Sequence, residues 1–119
     1  MTKVLIVDDA AFIRNQLRKL LEEHDFEVVG EAENGKVALE KVKELKPDIV
    51  TLDITMPVMD GIECMAEIHK MDYKPNVVMI SAQGQEALVQ EAIMHGAKDF
   101  IIKPYKPEVV LKHLNQFRK

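Results

Sequence analysis

The chain has 119 residues, enough for one domain that buries a core without disulfides or metal ions. Hydrophobic residues make up 47% of it, which excludes general disorder, and a formal net charge of −4 argues against the basic surface that nucleic-acid binding requires. The single cysteine excludes an internal disulfide, and the first apolar run is too short for a signal peptide or a membrane span, so we expect a cytoplasmic protein without membrane insertion.

Short apolar runs alternate with segments of helical periodicity in the first half of the chain. The run 4–7 predicts a strand, and the helix after it has one apolar face, formed by Ile13, Leu17, Leu20, Leu21 and His24. A second strand is predicted at 28–29, followed by a helix over 35–45 that Pro47 ends. The run 49–52 predicts the third strand.

The same alternation continues after the third strand. A helix is predicted to begin near Gly61, with Asp60 as its N-cap, and to end before Pro75. The run 77–80 then predicts a fourth strand.

The last two helices flank a fifth predicted strand at 100–102. The helix over 85–95 ends before Gly96, and its apolar face is formed by Leu88, Ala92 and Ile93. The final helix begins at Pro107, where a missing N–H costs nothing, and is predicted to bury Val110, Leu111, Leu114 and Phe117.

The strands are continuously apolar rather than alternating, which is typical of a parallel sheet covered by helices on both faces. With right-handed crossovers, the five β/α units predict a doubly wound, flavodoxin-like α/β fold with strand order 2-1-3-4-5. Only the second strand lacks a polar residue of catalytic type at its end, which favours its placement at an edge.

Four of the five strands are followed by residues that could do chemistry. Asp8 and Asp9 follow the first strand, Asp53 the third, Ser81 the fourth and Lys103 the fifth. Because ligands of open parallel sheets bind at the carboxyl ends of the strands, we expect these five side chains to share one pocket.

Three crowded carboxylates repel one another unless a cation lies among them, and oxygen ligands without nearby His or Cys suit Mg²⁺. Asp8 and Asp9 would hold the metal. Asp53 could bind the same ion and attack a phosphoryl group, forming an aspartyl-phosphate. Lys103 would neutralise charge on the transferred group, and Ser81 would donate a hydrogen bond to it.

The segments VLIVDDAAFIR, PDIVTLDITMPVMDGIE, VVMISA and DFIIKPY carry a family resemblance. At these segments the chain resembles the receiver domains of two-component response regulators over nearly its whole length. Within that family, its sequence most resembles the stand-alone chemotaxis regulators of the CheY type. The resemblance implies a single receiver domain over 1–119 that is not an enzyme, since it catalyses only its own phosphorylation and dephosphorylation.

The resemblance also implies roles for individual residues. Asp8, Asp9, Asp53 and the backbone carbonyl of Thr55 would bind Mg²⁺, and Asp53 would accept the phosphoryl group. The same resemblance implies that Ser81 and Lys103 stabilise that group and that the Lys103–Pro104 peptide bond is cis. The implied partners are a histidine kinase as phosphodonor and a downstream target such as the flagellar motor switch, with the protein itself a monomer.

Three positions depart from the family's usual residues or lie where the family varies. Phe100 takes the place of a frequent tyrosine at the aromatic switch position, so a hydroxyl contact is lost there. Thr55 and Gln83 lie where the family varies the lifetime of the acyl phosphate. We expect Ser81 to move toward the phosphoryl group and Phe100 to turn inward into the vacated space.

Two other classes of protein share part of this pattern of residues. A phosphatase of the haloacid dehalogenase type also uses an aspartyl-phosphate, but it needs an aspartate where Thr55 stands. A nucleotide-binding flavodoxin-like module would need a glycine-rich phosphate loop where the chain has Asp8 and Asp9. Within the regulator class, a phosphorelay intermediate that passes phosphate to a histidine phosphotransfer protein is the alternative to a chemotaxis role.

Overall fold

Five parallel strands form one sheet in a computed structural model that describes residues 1–119. The elements are β1 (Thr2–Val7), α1 (Ala11–Glu22), β2 (Phe26–Ala32), α2 (Gly35–Leu45), β3 (Ile49–Asp53), α3 (Gly61–His69), β4 (Asn76–Ser81), α4 (Glu86–Met94), β5 (Asp99–Ile102) and α5 (Pro107–Asn115). The strand order β2-β1-β3-β4-β5 confirms the predicted doubly wound topology. No helix has the length and hydropathy needed to span a membrane.

The helices cover both faces of the sheet, as the continuously apolar strands predict. Along β1, Val4 and Ile6 join a cluster with α1 and α5, whereas Leu5 and Val7 join a cluster with α2, α3 and α4. This alternation follows from the two-residue period of a strand. Each fully buried aliphatic side chain contributes about 1.5–3 kcal/mol, so both faces stabilise the sheet and hold its carboxyl edge in place.

Local capping signals explain why two helices begin at their predicted residues. The Asn34 side chain accepts a hydrogen bond from the Val37 amide at the start of α2. Asp60 and Glu63 form a reciprocal capping box at the start of α3. Gly96, with a φ of +106°, follows α4 in the left-handed conformation that favours glycine.

The predicted apolar face of α4 is wrong in two of its three positions. The buried residues of this helix are Val89 and Ala92, whereas Leu88 and Ile93 are exposed to 39% and 44%. The sheet ends at β5, and only Val89 and Ala92 of α4 are buried. Its remaining apolar side chains are exposed, and one of them, Ile93, lines a cavity together with the exposed Phe100 and Ile102 of β5.

Val58, in the loop between β3 and α3, has a φ of +69°, which is rare for a β-branched residue. The Met59 amide donates to the Pro57 carbonyl at 2.7 Å, closing a tight turn around it. Because the side chain is 77% exposed, no core contact offsets the strain. We expect Val58→Asn to stabilise the protein by about 1 kcal/mol, raising the unfolding midpoint by a few degrees.

Thermal and urea unfolding followed by circular dichroism would measure the effect of Val58→Asn. Val58→Ala is the matched control, because alanine also removes the branched methyl groups but lacks the side-chain amide that helps asparagine adopt this conformation. An unchanged or lowered midpoint for the asparagine variant would show that the turn is not strained.

Candidate functional site

The sheet brings the predicted site residues together at its carboxyl edge. Asp8 directly follows β1, Asp53 ends β3 and Ser81 ends β4, while Lys103 directly follows β5. The strands that carry the first two are neighbours, since β1 pairs with β3. Residues far apart in sequence therefore meet because parallel strands end at the same edge.

The three aspartates form a tight acidic cluster. One carboxylate oxygen from each of Asp8, Asp9 and Asp53 lies within 4.8 Å of the others. Asp8 is buried, and its Oδ1 accepts a hydrogen bond from the Ala10 amide at 2.9 Å. Its Oδ2 is buried without a hydrogen-bond partner, which is costly for an anionic oxygen unless a cation satisfies it.

The charge and the donor atoms of this cluster fit a hard divalent cation. Asp8 and Asp53 are buried whereas Asp9 is exposed, so an ion could enter from the solvent side and meet two preformed carboxylates. Carboxylate oxygens with no nitrogen or sulfur among them are the ligands that Mg²⁺ prefers. Asp8 Oδ2 makes no hydrogen bond, and Lys103 is the one ammonium close to three carboxylates, so the cluster keeps an excess of negative charge that a divalent cation would neutralise.

Asp53 combines burial with a paired cation. The Lys103 ammonium donates to Asp53 Oδ1 at 3.2 Å and lies 3.5 Å from Asp8 Oδ2. Burial is the main cause that raises the pKa of Asp53 from 3.8 to about 6; the Lys103 charge opposes this shift, and repulsion by Asp8 and Asp9 adds to it. The carboxylate is therefore ionised at neutral pH, and it keeps an oxygen free of Lys103 that could act as a nucleophile.

Gly61 allows the start of α3 to approach the end of β3. Its amide donates to the Ile54 carbonyl at 2.7 Å, and a Cβ at this position would lie 2.2 Å from the Asp53 carbonyl oxygen. Only glycine fits such a close approach. The loop that carries Thr55 is thereby folded back beside Asp53.

Ser81 and Phe100 border one cavity beneath α4. Ser81 is buried at the end of β4, and its carbonyl accepts the Lys103 amide at 2.7 Å. The cavity has a volume of about 230 Å³ and is lined by Ser81, Val89, Ile93, Phe100 and Ile102 among others. Phe100 is 37% exposed and lines this cavity, which offers space into which its ring could turn.

The remaining predicted positions lie on the loops above the sheet edge. Thr55 and Gln83 are both exposed, and the Lys103–Pro104 peptide bond is cis. The Thr55 hydroxyl accepts a hydrogen bond at 3.1 Å from Gln85, whose side-chain carbonyl accepts the Ala82 amide at 2.7 Å. Gln85 lies outside the motifs that single out the other residues, and no signal in the sequence identifies it.

Comparison with protein families agrees with this geometry. A model described as the response regulator receiver domain matches residues 4–115. Among curated proteins, the chain is 55% identical over 117 residues to the chemotaxis protein CheY of Thermotoga maritima, covering 98% of both chains. It is 53% identical to the protein of the same name from Listeria monocytogenes, over the full length of both.

Solved structures give the same result. The chain superposes with a TM-score of 0.91 and 43% identity on a chain of the CheX–CheY–BeF₃–Mg²⁺ complex from Borrelia burgdorferi, covering 99% of this chain and 90% of that one. The response regulator domain of Thermotoga maritima CheB gives a TM-score of 0.90 at 38% identity, covering 98% and 96% of the two chains.

Proposed function

The chain belongs to the response regulator receiver domain family, and we propose that it is a cytoplasmic chemotaxis regulator that accepts a phosphoryl group on Asp53. The position of the Asp53 carboxylate is the main support for this proposal. The Asp53 carboxylate, held by Lys103, lies within 4.8 Å of two further carboxylates at the carboxyl edge of the sheet. The identity to chemotaxis proteins over the full chain supports the chemotaxis role rather than that of a relay intermediate.

Each residue of the site has a distinct role in this proposal. Mg²⁺ would be held by Asp8, Asp9, Asp53 and the Thr55 carbonyl, and when bound it would neutralise charge between the carboxylates and the incoming phosphoryl group. An Asp53 oxygen attacks the phosphorus of a phosphohistidine, the phosphorus–nitrogen bond breaks, and the imidazole leaves. The Lys103 ammonium stabilises the transferred oxygens, and the Ser81 hydroxyl donates a hydrogen bond to one of them.

A phosphatase that works through an aspartyl-phosphate needs an acid/base residue near Asp53 to activate water. The position two residues beyond Asp53 is Thr55, and its hydroxyl is hydrogen-bonded to the Gln85 amide. A threonine hydroxyl is a poor general base compared with a carboxylate. The protein should therefore hydrolyse its acyl phosphate slowly compared with a phosphatase. It should catalyse only its own phosphorylation and dephosphorylation.

Incubation with Mg²⁺ and a small acyl phosphodonor, followed by intact mass spectrometry, tests the function. A regulator gains one phosphoryl group per chain, and release of inorganic phosphate then follows the lifetime of that group. Continuous release of many phosphates per chain each second would instead identify a phosphatase.

The proposed partners are a histidine kinase as phosphodonor and a target protein that reads the phosphorylated form, with the flagellar motor switch as the candidate for a chemotaxis role. The outer surface of α4, β5 and α5 offers that target exposed apolar side chains: Ile93, Met94, Phe100, Ile102 and Val109. Capture experiments with the beryllofluoride-bound form, compared with the free form, would identify proteins that bind only the former.

Asp9→Ala should weaken Mg²⁺ binding at least tenfold, because losing even an outer partner of a ligand typically costs about 10–100-fold in affinity. Phosphorylation at limiting Mg²⁺ should slow in parallel, while the fold is retained because Asp9 is exposed. Asp72→Ala, an exposed aspartate in the loop between α3 and β4 at the opposite edge of the sheet, removes the same charge and serves as the control. Equal Mg²⁺ affinities in the two variants would argue against Asp9 as a ligand.

A further inference from the structure

Gln85 joins the two loops that flank the proposed phosphorylation site. Its side-chain nitrogen donates to the Thr55 hydroxyl at 3.1 Å, and its side-chain oxygen accepts from the Ala82 amide at 2.7 Å. Thr55 lies two residues past Asp53, and Ala82 directly follows Ser81. A single neutral side chain thus connects the loop after β3 with the loop after β4.

The Ala82 amide is free for this contact because the ladder between β3 and β4 ends one step earlier. The Ile54 amide still donates to the Ile80 carbonyl at 3.2 Å. In a continued parallel ladder, the Ala82 amide would donate to the Ile54 carbonyl, but that carbonyl instead accepts the Gly61 amide at 2.7 Å. A backbone donor is therefore left at the carboxyl edge, next to Ser81, and Gln85 satisfies it.

We infer that Gln85 is a positioning residue that restrains the unphosphorylated form, holding the Ala82 amide and the loop after Ser81 until a phosphoryl group on Asp53 competes for that donor. The inference rests on the proposed function, since it needs a phosphoryl group at Asp53. An anionic phosphoryl oxygen forms a hydrogen bond roughly twice as strong as a neutral amide oxygen does. A phosphoryl group on Asp53 would therefore displace the Gln85 oxygen from the Ala82 amide.

The bridge also restrains the residue proposed to move. Ser81 precedes Ala82, so a shift of Ser81 toward Asp53 carries the Ala82 amide with it and away from its present geometry with Gln85. The other end of the Gln85 side chain is held by Thr55 across the mouth of the site. Breaking the bridge is thus part of the free-energy difference between the resting and the phosphorylated forms.

Gln85→Met tests this inference, because methionine is similar in length and makes neither hydrogen bond. We expect the variant to bind beryllofluoride in the presence of Mg²⁺ roughly two- to tenfold more tightly than the unaltered protein, the range expected for losing resting-state hydrogen bonds. Hydrogen exchange of the Ala82 amide in the free protein should accelerate, because its acceptor is gone. Thr55→Val removes only the hydrogen bond between Gln85 and Thr55, so it should show part of the increase in beryllofluoride affinity. The double variant should bind beryllofluoride as tightly as Gln85→Met does.

Glu91→Ala, an exposed position on the same helix, is the control and should change neither the beryllofluoride affinity nor the Ala82 exchange. If the unaltered protein accepts phosphate but Gln85→Met binds beryllofluoride with equal or lower affinity, the inference is wrong and the proposed function stands. If the unaltered protein neither accepts phosphate nor binds beryllofluoride, both are wrong. A merely structural role would lower thermal stability equally with and without beryllofluoride, leaving the affinity unchanged.

Discussion

Asp53→Asn is expected to abolish phosphorylation, reducing the incorporated phosphate to background. The asparagine amide is not a competent nucleophile, and the acidic cluster loses one of its three carboxylates. Incubation with Mg²⁺ and a small phosphodonor, followed by intact mass spectrometry, gives the measurement. One phosphate per chain on another residue of the variant would overturn the assignment of Asp53.

The same variant should be more stable than the unaltered protein near neutral pH, which separates loss of chemistry from loss of fold. The pKa of Asp53 is raised from 3.8 to about 6, so the folded state binds this proton more tightly than the unfolded state does. The charged carboxylate therefore destabilises the fold as pH rises from about 4 to 6. Asparagine avoids that cost, and we expect a gain of about 1 kcal/mol at pH 7 after allowance for solvent screening.

This gain should vanish near pH 4, where the aspartate is protonated in the folded protein. Urea unfolding of both proteins at pH 4 and pH 7, without divalent cations, would show it. A variant that is less stable than the unaltered protein at both pH values would mean that the Asp53–Lys103 pair stabilises the fold, contrary to the sign derived from burial.

Ser81→Ala should still accept phosphate on Asp53, but it should lose most of the increase in target affinity that phosphorylation causes. Coupling between two binding sites typically changes affinity by about 5–150-fold, and this is the size of the loss that we expect. Alanine keeps the backbone and the small volume, but it has no hydroxyl to donate to the phosphoryl group. Without that hydrogen bond, Ser81 is not drawn toward Asp53, so the cavity that it borders is not enlarged for the Phe100 ring.

Two measurements would separate this coupling from a general defect. The target affinity is compared with and without beryllofluoride, and the aromatic signals of Phe100 report whether its ring becomes buried. Ser81→Thr, which keeps the hydroxyl, should preserve both responses. An undiminished gain in Ser81→Ala would show that Phe100 does not respond through Ser81.

The residues at the sheet edge could be predicted because topology alone brings them together. Once the strands are parallel and their order is known, any side chain that ends β1 or β3 must lie near the same crevice, whatever the intervening helices contain. The starts of α2 and α3 were equally predictable, since Asn34 and Asp60 cap their helices through local hydrogen bonds.

The unpredicted features depend on tertiary placement. The contact between Gln85 and Thr55 joins residues thirty positions apart, and neither lies in a pattern that would pair them. The positive φ of Val58 contradicts the preference of its own residue type. The outward-facing side chains of α4 satisfy helical periodicity, but periodicity cannot distinguish a face covered by the sheet from one that stays exposed.

The sparse anchoring of α4 has a consequence for local stability. This helix contributes only Val89 and Ala92 to the core, whereas α2 adds the partly buried Val37 and Leu39 to its own buried residues. Little apolar surface is thus lost to the core when α4 alone detaches, so it should open at a much lower free energy than the whole domain unfolds. In the proposed function, phosphorylation of Asp53 would have to change the conformation of only this weakly held segment, while the rest of the domain keeps its structure.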